Sequence, residues 1–499
     1  MNLLLDLLLA ALLGALHSLP FVHTAWWPAQ FVVIAVLASR IAKAAPGRAA
    51  LIGLLFGAAW IASGTWWLFI SMHTYGGLSA GLAAAAVALL SLALSSYLAA
   101  GFAAFAHWRS GRGKRDALLF GAVWLLAELA RGVILTGFPW IASGYAQVDS
   151  PLAALAPWVG VYGIGFVTAG LASWPMLGRL RAPPLAVLIA GLAALALVGP
   201  VRFTTPSSTM SVTLLQGNVP QDEKFEAAEI PQQLAWTRGQ LLAAHGQLVV
   251  GPETVIPLLP AQLDPGYWDE IAAHFQKGPQ AALIGLPLGD EEIGYTNSAA
   301  GLSSNTAALP GGFYRYDKHH LVPFGEFVPN GFHWFTQLMN IPLGDFNRGP
   351  VGPKSFLFHG ERIAPNICYE DLFGEELAAR FADDATAPTI FANLSNIGWF
   401  GDTIAIAQHL QISRMRALEF QRPMLRATNT GATVVIDHTG EVTASLPPLT
   451  QGVLDAEVQG RIGLTPYAAW ASRLNLWPLW ALGALIVAAA VLRRRRAAA

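Results

Sequence analysis

"RIAPNICYEDLF", residues 362 to 373, reads as a short apolar strand that ends on the only cysteine of a 499-residue chain. Tyr369, Glu370 and Asp371 follow at once. A lone cysteine in such a place is either a small buried hydrophobe, since free cysteine is among the most buried residue types, or a nucleophile. A nucleophile needs company, because an unperturbed thiol, with a pKa of about 8.5, is mostly protonated at neutral pH. Around this stretch, β-rich runs alternate with helical ones. Strands are expected at "SVTLLQGNV" (211–219), "QLVVGPE" (247–253), "AALIGLPL" (281–288), "GFYRYDKHHLV" (312–322), "RIAPNIC" (362–368), "PTIFANLSN" (388–396), "MLRATNTGATVVID" (424–437) and "GVLDAEV" (452–458). Helices are expected over 230–245, 266–276, 373–384 and 404–421, the last with Ile404, Ala407, Leu410 and Met415 near period 3.6. Such alternation predicts an α/β layered domain.

In sheets of this kind the ligand site gathers at the carboxyl ends of strands. Glu253 ends "LVVGPE", Cys368 ends "RIAPNIC", Asn393, Ser395 and Asn396 end "IFANLSN", and Lys318 lies toward the end of the strand leading into "LVPFGEFVP". An acid, an amine and a thiol at neighbouring strand ends make a nucleophile, its general base and a cationic stabiliser of developing charge. Each keeps a plainer reading on spacing alone: Glu253 solvated, Lys318 paired with Asp317 at the surface, Cys368 packed.

The rest of the chain belongs in lipid. It is 54% hydrophobic and 12% charged, where soluble domains carry roughly a quarter charged residues. All but four of the 31 acids fall within 201–474; the exceptions are Asp6, Asp116, Glu128 and Asp149. That shift predicts three parts: a seven-span membrane domain (1–200), a water-facing domain (201–474) and a C-terminal membrane helix with a basic tail (475–499). Apolar stretches near 2–19, 27–42, 50–70, 78–106, 117–136, 152–178, 184–200 and 475–492 are the candidates to cross a hydrocarbon layer of about 30 Å. The first lacks a basic leader and carries Asp6, so a retained helix is expected rather than a signal peptide. Glu128 and Arg131, three apart on the fifth, read as an intrahelical pair.

The basic residues give an orientation. Arg40, Lys43 and Arg48, then Arg109, Arg112, Lys114 and Arg115, then Arg179 and Arg181, and finally "RRRR" (493–496) fall on one side, whereas loops 20–26, 71–77 and 137–151 hold no Lys or Arg. The positive-inside rule puts the first side in the cytoplasm and 201–474 outside it, in a bacterial periplasm. A lone thiol there cannot form an internal disulfide.

Longer strings carry a resemblance. "GPETVIP" (251–257), "YDKHHLVPFGEFVP" (316–329) and "NICYEDLF" (366–373) are similar, in order and spacing, to the Glu, Lys and Cys segments of the nitrilase (carbon–nitrogen hydrolase) superfamily. With "TYGGLSAG" (74–81), "TGFPWIASGYAQ" (136–147), "LLQGNVPQDEKF" (214–225), "YTNSA" (295–299), "NIGWFGDT" (396–403) and "RMRALEFQRPMLRATNTG" (414–431), almost the whole chain resembles the apolipoprotein N-acyltransferase family. One departure is visible: Phe225 stands where that family suggests Trp.

The resemblance implies a multi-pass α-helical membrane domain carrying an extracytoplasmic α/β nitrilase-like domain, an α-β-β-α sandwich, in the bacterial inner membrane. It implies Glu253 as general base, Lys318 as oxyanion stabiliser and Cys368 as nucleophile. Glu326, Tyr369 and Glu370 would support them, and Asn297 and Ser395 would stand behind. The implied reaction is ping-pong. Cys368 takes an acyl chain from a phosphatidylethanolamine-like phospholipid as a thioester, then yields it to the α-amino group of a diacylglyceryl-cysteine on an apolipoprotein.

Several features bound this reading. "FHWFTQLMNIPLG" (332–344) is apolar and aromatic enough to dip into the membrane interface, or to pack on its own domain. His319 and His320 are expected to be structural, and "GVYGIG" (160–165) lies in a span, where small residues serve helix packing. No HExxH, CxxC or Walker sequence occurs, so no metal, cofactor or nucleic-acid partner is expected. A membrane-tethered amidase with the same triad would admit water in the second step, but would not need seven spans. A transporter or sensor is disfavoured by the scarcity of ionisable residues in the spans.

Overall fold

The strand that leads into the cysteine is an interior strand, next to the edge, of one of two six-stranded sheets. In the computed structural model, which describes residues 3–178, 182–329, 331–332 and 345–498, the strands are β1 (Thr205–Gln216), β2 (Leu248–Val250), β3 (Ala281–Asp290), β4 (Gly294–Leu302), β5 (Tyr314–Asp317), β6 (Phe356–Phe358), β7 (Glu361–Ile367), β8 (Ile390–Ser395), β9 (Met424–Thr428), β10 (Val434–Ile436), β11 (Val442–Ser445) and β12 (Gly452–Ile462). The sheet orders are β12-β1-β2-β3-β4-β5 and β11-β10-β9-β8-β7-β6. In each the middle strands run parallel, β1 to β2 to β3 and β7 to β8 to β9.

Side chains alternate across a strand, and here both faces are apolar. On β3, Ala281 and Leu283 join Val212, Leu248 and Val250 against Ile363, Ile367, Leu394 and Leu425 of the other sheet. The intervening Ala282, Ile284 and Leu286 turn the opposite way, toward Leu234, Leu241, Ile271 and Phe275 of helices Ile230–Ala243 and Tyr267–Lys277. Beyond the second sheet, Phe420 of helix Ala405–Phe420 packs on Phe381 and Phe391. The layers are therefore helices, sheet, sheet, helices, as the resemblance implies.

Some expected boundaries move. The strand expected over 424–437 is two, β9 and β10, paired antiparallel as Met424–Ile436, Leu425–Val435 and Arg426–Val434. Thr428 and Thr433 bond across the intervening turn, whose short polar residues and Gly431 reverse the chain. The strand expected over 312–322 keeps only Tyr314–Asp317. Strands β4, β6 and β11 were not anticipated. Of segment 332–344 only Phe332 is described, 46% exposed and edge-on to Phe324; the rest, like Arg179 and Arg181, lies outside the described residues.

Residues 1–69, 79–201 and 474–499 form a separate helical unit, while 70–78 group with 202–473. Among the described residues seven helices are long and apolar enough to cross a membrane: Leu3–Phe21, Thr24–Ile41, Pro46–Gly64, Ala80–Trp108, Gly113–Thr136, Pro151–Leu177 and Trp477–Arg496. The stretch 184–200 forms a shorter apolar helix, Leu185–Val198. Helices Pro46–Gly64 and Ala80–Trp108 touch through a glycine: a Cβ on Gly57 would lie 2.7 Å from Ser95. Asp6 is held by Arg40 and Arg48, each at 2.6 Å. The intrahelical pair of Glu128 and Arg131 is present at 3.7 Å, and Glu128 Oε1 also accepts from Ser143 N at 2.7 Å and Ser143 Oγ at 2.8 Å.

In the second unit the segment 70–78 includes the single π-helical turn Ser71–Tyr75, and Tyr75 meets Trp399 edge-on with ring centroids 6.0 Å apart. From the sequence alone, 71–77 is expected to be a plain interhelical loop.

Candidate active site

Glu253 lies just past β2, where the chain turns over β3. Gly251 N donates to Leu283 O at 2.9 Å and Ile256 N to Gly285 O at 3.2 Å. The turn lies so close that a Cβ at Gly285 would stand 2.3 Å from Pro252 O and 2.8 Å from Glu253 Cα. Both carboxylate oxygens are engaged. Oε1 accepts from Asn297 Nδ2 at 2.7 Å and Oε2 from the main-chain N of Asn396, past the end of β8, at 2.8 Å.

Lys318 follows β5 and is 1% exposed. Its Nζ bonds Glu326 at 2.9 Å and stands 3.5 Å from Glu253 Oε1. Asn297 spends its second amide hydrogen on Glu326 Oε1 at 2.7 Å, so one side chain ties the two carboxylates together. Val322 N completes Glu326 at 2.8 Å. Burial works against the Lys318 ammonium, but Glu326 and then Glu253 outweigh it, and its pKa is held above the ordinary lysine value.

Cys368 comes immediately after β7 with φ +51°, a conformation few non-glycine residues adopt. Its carbonyl is gripped by Asn393 Nδ2 at 3.2 Å and His409 Nε2 at 3.3 Å. Burial pushes the thiol up to about 12; the Glu253 charge adds to that, and Lys318 and the Ser395 hydroxyl oppose it. A thiol so placed is protonated at rest and depends on a base to become a nucleophile.

Glu370 fastens the cysteine turn to the lysine turn. It accepts from Tyr316 OH and Ile367 N, both at 2.6 Å, and from His319 N at 2.7 Å. Tyr369 is 5% exposed and packs edge-on against Phe373. The two histidines are occupied, His319 Nδ1 with Gly349 O at 2.7 Å, and His320 with Glu376 at 2.9 Å and stacked on Phe373. Every residue named from the sequence for this site thus collects at the strand ends around Cys368 or in the shell that holds them. Among the described residues no group of three or more His, Cys, Asp or Glu is arranged to hold a metal.

Other residues of the site went unnamed. Asp371 accepts from His409 Nε2 at 3.0 Å and Arg426 Nη1 at 3.3 Å, and also from Ser413. Lys224, 3% exposed, donates to the Glu253 main-chain oxygen at 3.0 Å. Gln221 accepts from Asn396 Nδ2 at 2.8 Å. Asp371 was visible as the second acid after the cysteine; Lys224 and Gln221 sit in "LLQGNVPQDEKF", a string that carries the resemblance but whose polar residues give no sign of facing inward.

Comparison with known proteins accords with both units. Residues 13–174 match the model of the apolipoprotein N-acyltransferase N-terminal domain, and 215–467 that of carbon–nitrogen hydrolase. The apolipoprotein N-acyltransferase of Verminephrobacter eiseniae is 56% identical over 479 residues, covering 90% of this chain and 89% of that one. That of Ralstonia nicotianae is 48% identical over 500 residues, covering 98% and 94%. Among solved structures, a carbon–nitrogen hydrolase from Helicobacter pylori G27 aligns with TM-score 0.36 at 16% identity, over 55% of this chain and 94% of that one. On the identity and coverage of these sequence relatives, the chain belongs to the apolipoprotein N-acyltransferase family.

Proposed function

We propose that this protein N-acylates lipoproteins, moving an acyl chain from a membrane phospholipid to the α-amino group of an N-terminal diacylglyceryl-cysteine. The observation that carries this reading is the extent of the likeness: relatives named apolipoprotein N-acyltransferase align through the membrane helices as well as the hydrolase part. Physical logic points the same way. Both substrates keep their acyl chains in lipid, and extracting them would cost roughly 0.8 kcal/mol per CH₂.

In the first half-reaction Glu253 takes the thiol proton as the Cys368 sulfur attacks the ester carbonyl carbon. The carbonyl oxygen becomes an oxyanion, which the Lys318 ammonium stabilises. Collapse breaks the bond to the glycerol oxygen, Glu253 returns the proton to it, and a lysophospholipid leaves a thioester behind. In the second, the α-amine attacks the thioester carbon and gives its proton to Glu253. The thiolate departs, is reprotonated, and an amide is released. Glu326 and Glu370 hold Lys318 and Cys368 in register for both steps, and Asn297 and Ser395 support them from behind.

The test uses full-length enzyme loaded from phosphatidylethanolamine vesicles, with mass spectrometry of the Cys368 peptide and then addition of a diacylated lipopeptide bearing a free α-amine. The acyl mass should sit on Cys368 and leave as N-acyl peptide. Recovery as free fatty acid, at a rate indifferent to the peptide, would instead mark a membrane-bound hydrolase. Basic residues in the loops around 40–48 and 109–115 and in the tail, against none at 20–26, 71–77 and 137–151, support a cytoplasmic N-terminus and a periplasmic catalytic domain. A reporter fused after residue 200 should therefore read as external and one after Arg496 as cytoplasmic; an internal signal at the first junction overturns the orientation.

A further inference from the structure

Lys224 takes no part in the chemistry above, yet it is buried. Lysine is almost never buried without a partner, and here the side chain is 3% exposed with a single hydrogen bond among the described residues, from Nζ to the Glu253 carbonyl oxygen at 3.0 Å. An ammonium has three donors. Lys318, the other buried amine of the site, is by contrast committed to Glu326 at 2.9 Å.

The segment carrying Lys224 is tied to the same groups that hold the base. Asn218 N donates to Asn429 O at 2.9 Å, and Val219 N to Asn429 Oδ1 at 3.0 Å. Asn429 Nδ2 reaches Asn396 Oδ1 at 3.1 Å, Asn396 Nδ2 donates to Gln221 at 2.8 Å, and Asn396 N holds Glu253 Oε2 at 2.8 Å. One asparagine therefore fixes both the carboxylate and the loop that brings Lys224 beneath it.

We propose that Lys224 is a positioning residue of the acyl-loading step, a second cation that acts through Glu253 and the Cys368 sulfur, fixing the base by its carbonyl and favouring the thiolate when the proton leaves. This rests on Cys368 being the nucleophile and Glu253 its base. The electrostatics agree. Burial brings the Lys224 ammonium down to about 8, against the pull of Glu253 and Cys368, the two groups whose negative charge it feels. It is therefore mostly charged at neutral pH. Removing a nearby opposite charge raises the pKa of an anionic group by about 1 or more, so its thiolate fraction should fall roughly tenfold.

The test exploits the single cysteine of the chain: iodoacetamide alkylation of full-length protein in nanodiscs reads Cys368 alone, across a pH series. Lys224→Met removes charge and hydrogen bond, Lys224→Gln keeps a donor for the Glu253 carbonyl without charge, and Lys224→Arg keeps the charge. Met and Gln variants should alkylate about tenfold more slowly at neutral pH, with the profile displaced to higher pH, and load acyl chains correspondingly slowly; the Arg variant should recover both. If Lys224→Met does not fold, Lys224→Gln decides. A Gln variant with the unaltered alkylation profile and loading rate overturns the proposal and leaves Lys224 a packing residue. Acyl transfer by Cys368→Ala, run in parallel, would instead overturn the mechanism on which the proposal rests.

Discussion

On one flank of Cys368 stand Glu253, Lys318 and Glu326; on the other stand Asp371, His409 and Arg426, and both sets are buried. They handle their charge differently. Asp371 is saturated by three side chains, His409, Ser413 and Arg426, and despite burial, which would raise its pKa, these partners hold it below the ordinary carboxylate range. His409 then passes this rigidity to the Cys368 carbonyl. Glu253 has neutral donors on both carboxylate oxygens, and the cation paired with that carboxylate, Lys318 at 3.5 Å, is bonded more closely to Glu326. A carboxylate clamped by a cation is a strut. One whose cation is drawn aside by a second acid is left with the weaker clamp that the proposed base needs, so under the proposed mechanism the two flanks separate shape from chemistry with similar parts.

The comparison breaks first at the sulfur and its base. Cys368→Ala should abolish loading and transfer while leaving the folded protein intact, because the proposed thioester needs the sulfur itself. Glu253→Gln should cost about 10²–10⁴-fold in both half-reactions, the range for loss of a general base. Single-turnover loading from labelled phospholipid, and separately the discharge of preloaded enzyme, measure the two steps. A Gln variant that loads normally would move Glu253 from the reactive flank to the structural one. Lys318→Ala comes next. In the proposed mechanism its charge opposes an oxyanion present only in the tetrahedral intermediate, so turnover should fall by about 10²–10³ with phospholipid affinity nearly unchanged in equilibrium binding. A rise in Kd with turnover intact would assign Lys318 to binding.

These flanks were unequally legible in the sequence. Strand ends carrying Glu253 and Cys368 could be read because their strands are apolar runs that stop on a polar residue, and Lys318 because Asp317 and the following "HHLVPFGEF" break a β run. Strand β4, "GYTNSAAGL", was missed because small residues hide a strand buried on both faces. With it went the reason why Asn297 matters: only the pairing of β4 with β3 and β5 brings its amide to both Glu253 and Glu326. The Asp371 lock joins residues 38 to 55 positions apart on a helix and a strand, and no local period encodes such a meeting. Lys224 was hidden for the opposite reason, since a polar loop gives no sign that it folds inward.

The smallest effect on chemistry, and the sharpest on stability, is expected at Asp371. Asp371→Asn keeps the shape but leaves Arg426 charged and buried without its counter-ion, and breaking such a pair costs about 3–5 kcal/mol. Turnover per folded molecule should fall far less than in the Glu253 or Lys318 variants, because no reacting atom loses a partner. The pH dependence provides the check. A carboxylate whose folded pKa lies below its unfolded value, near 3.9, contributes stability that is fully present above the unfolded value and is lost as pH falls through the folded one. The native protein should therefore lose melting temperature as pH drops from about 5 to about 3, and part of that loss should be absent in Asp371→Asn, which starts lower and declines less steeply. Parallel decline of the two proteins would mean that Asp371 is not held as an anion by His409 and Arg426. A turnover defect equal to that of Glu253→Gln would mean that the second flank, too, belongs to the chemistry.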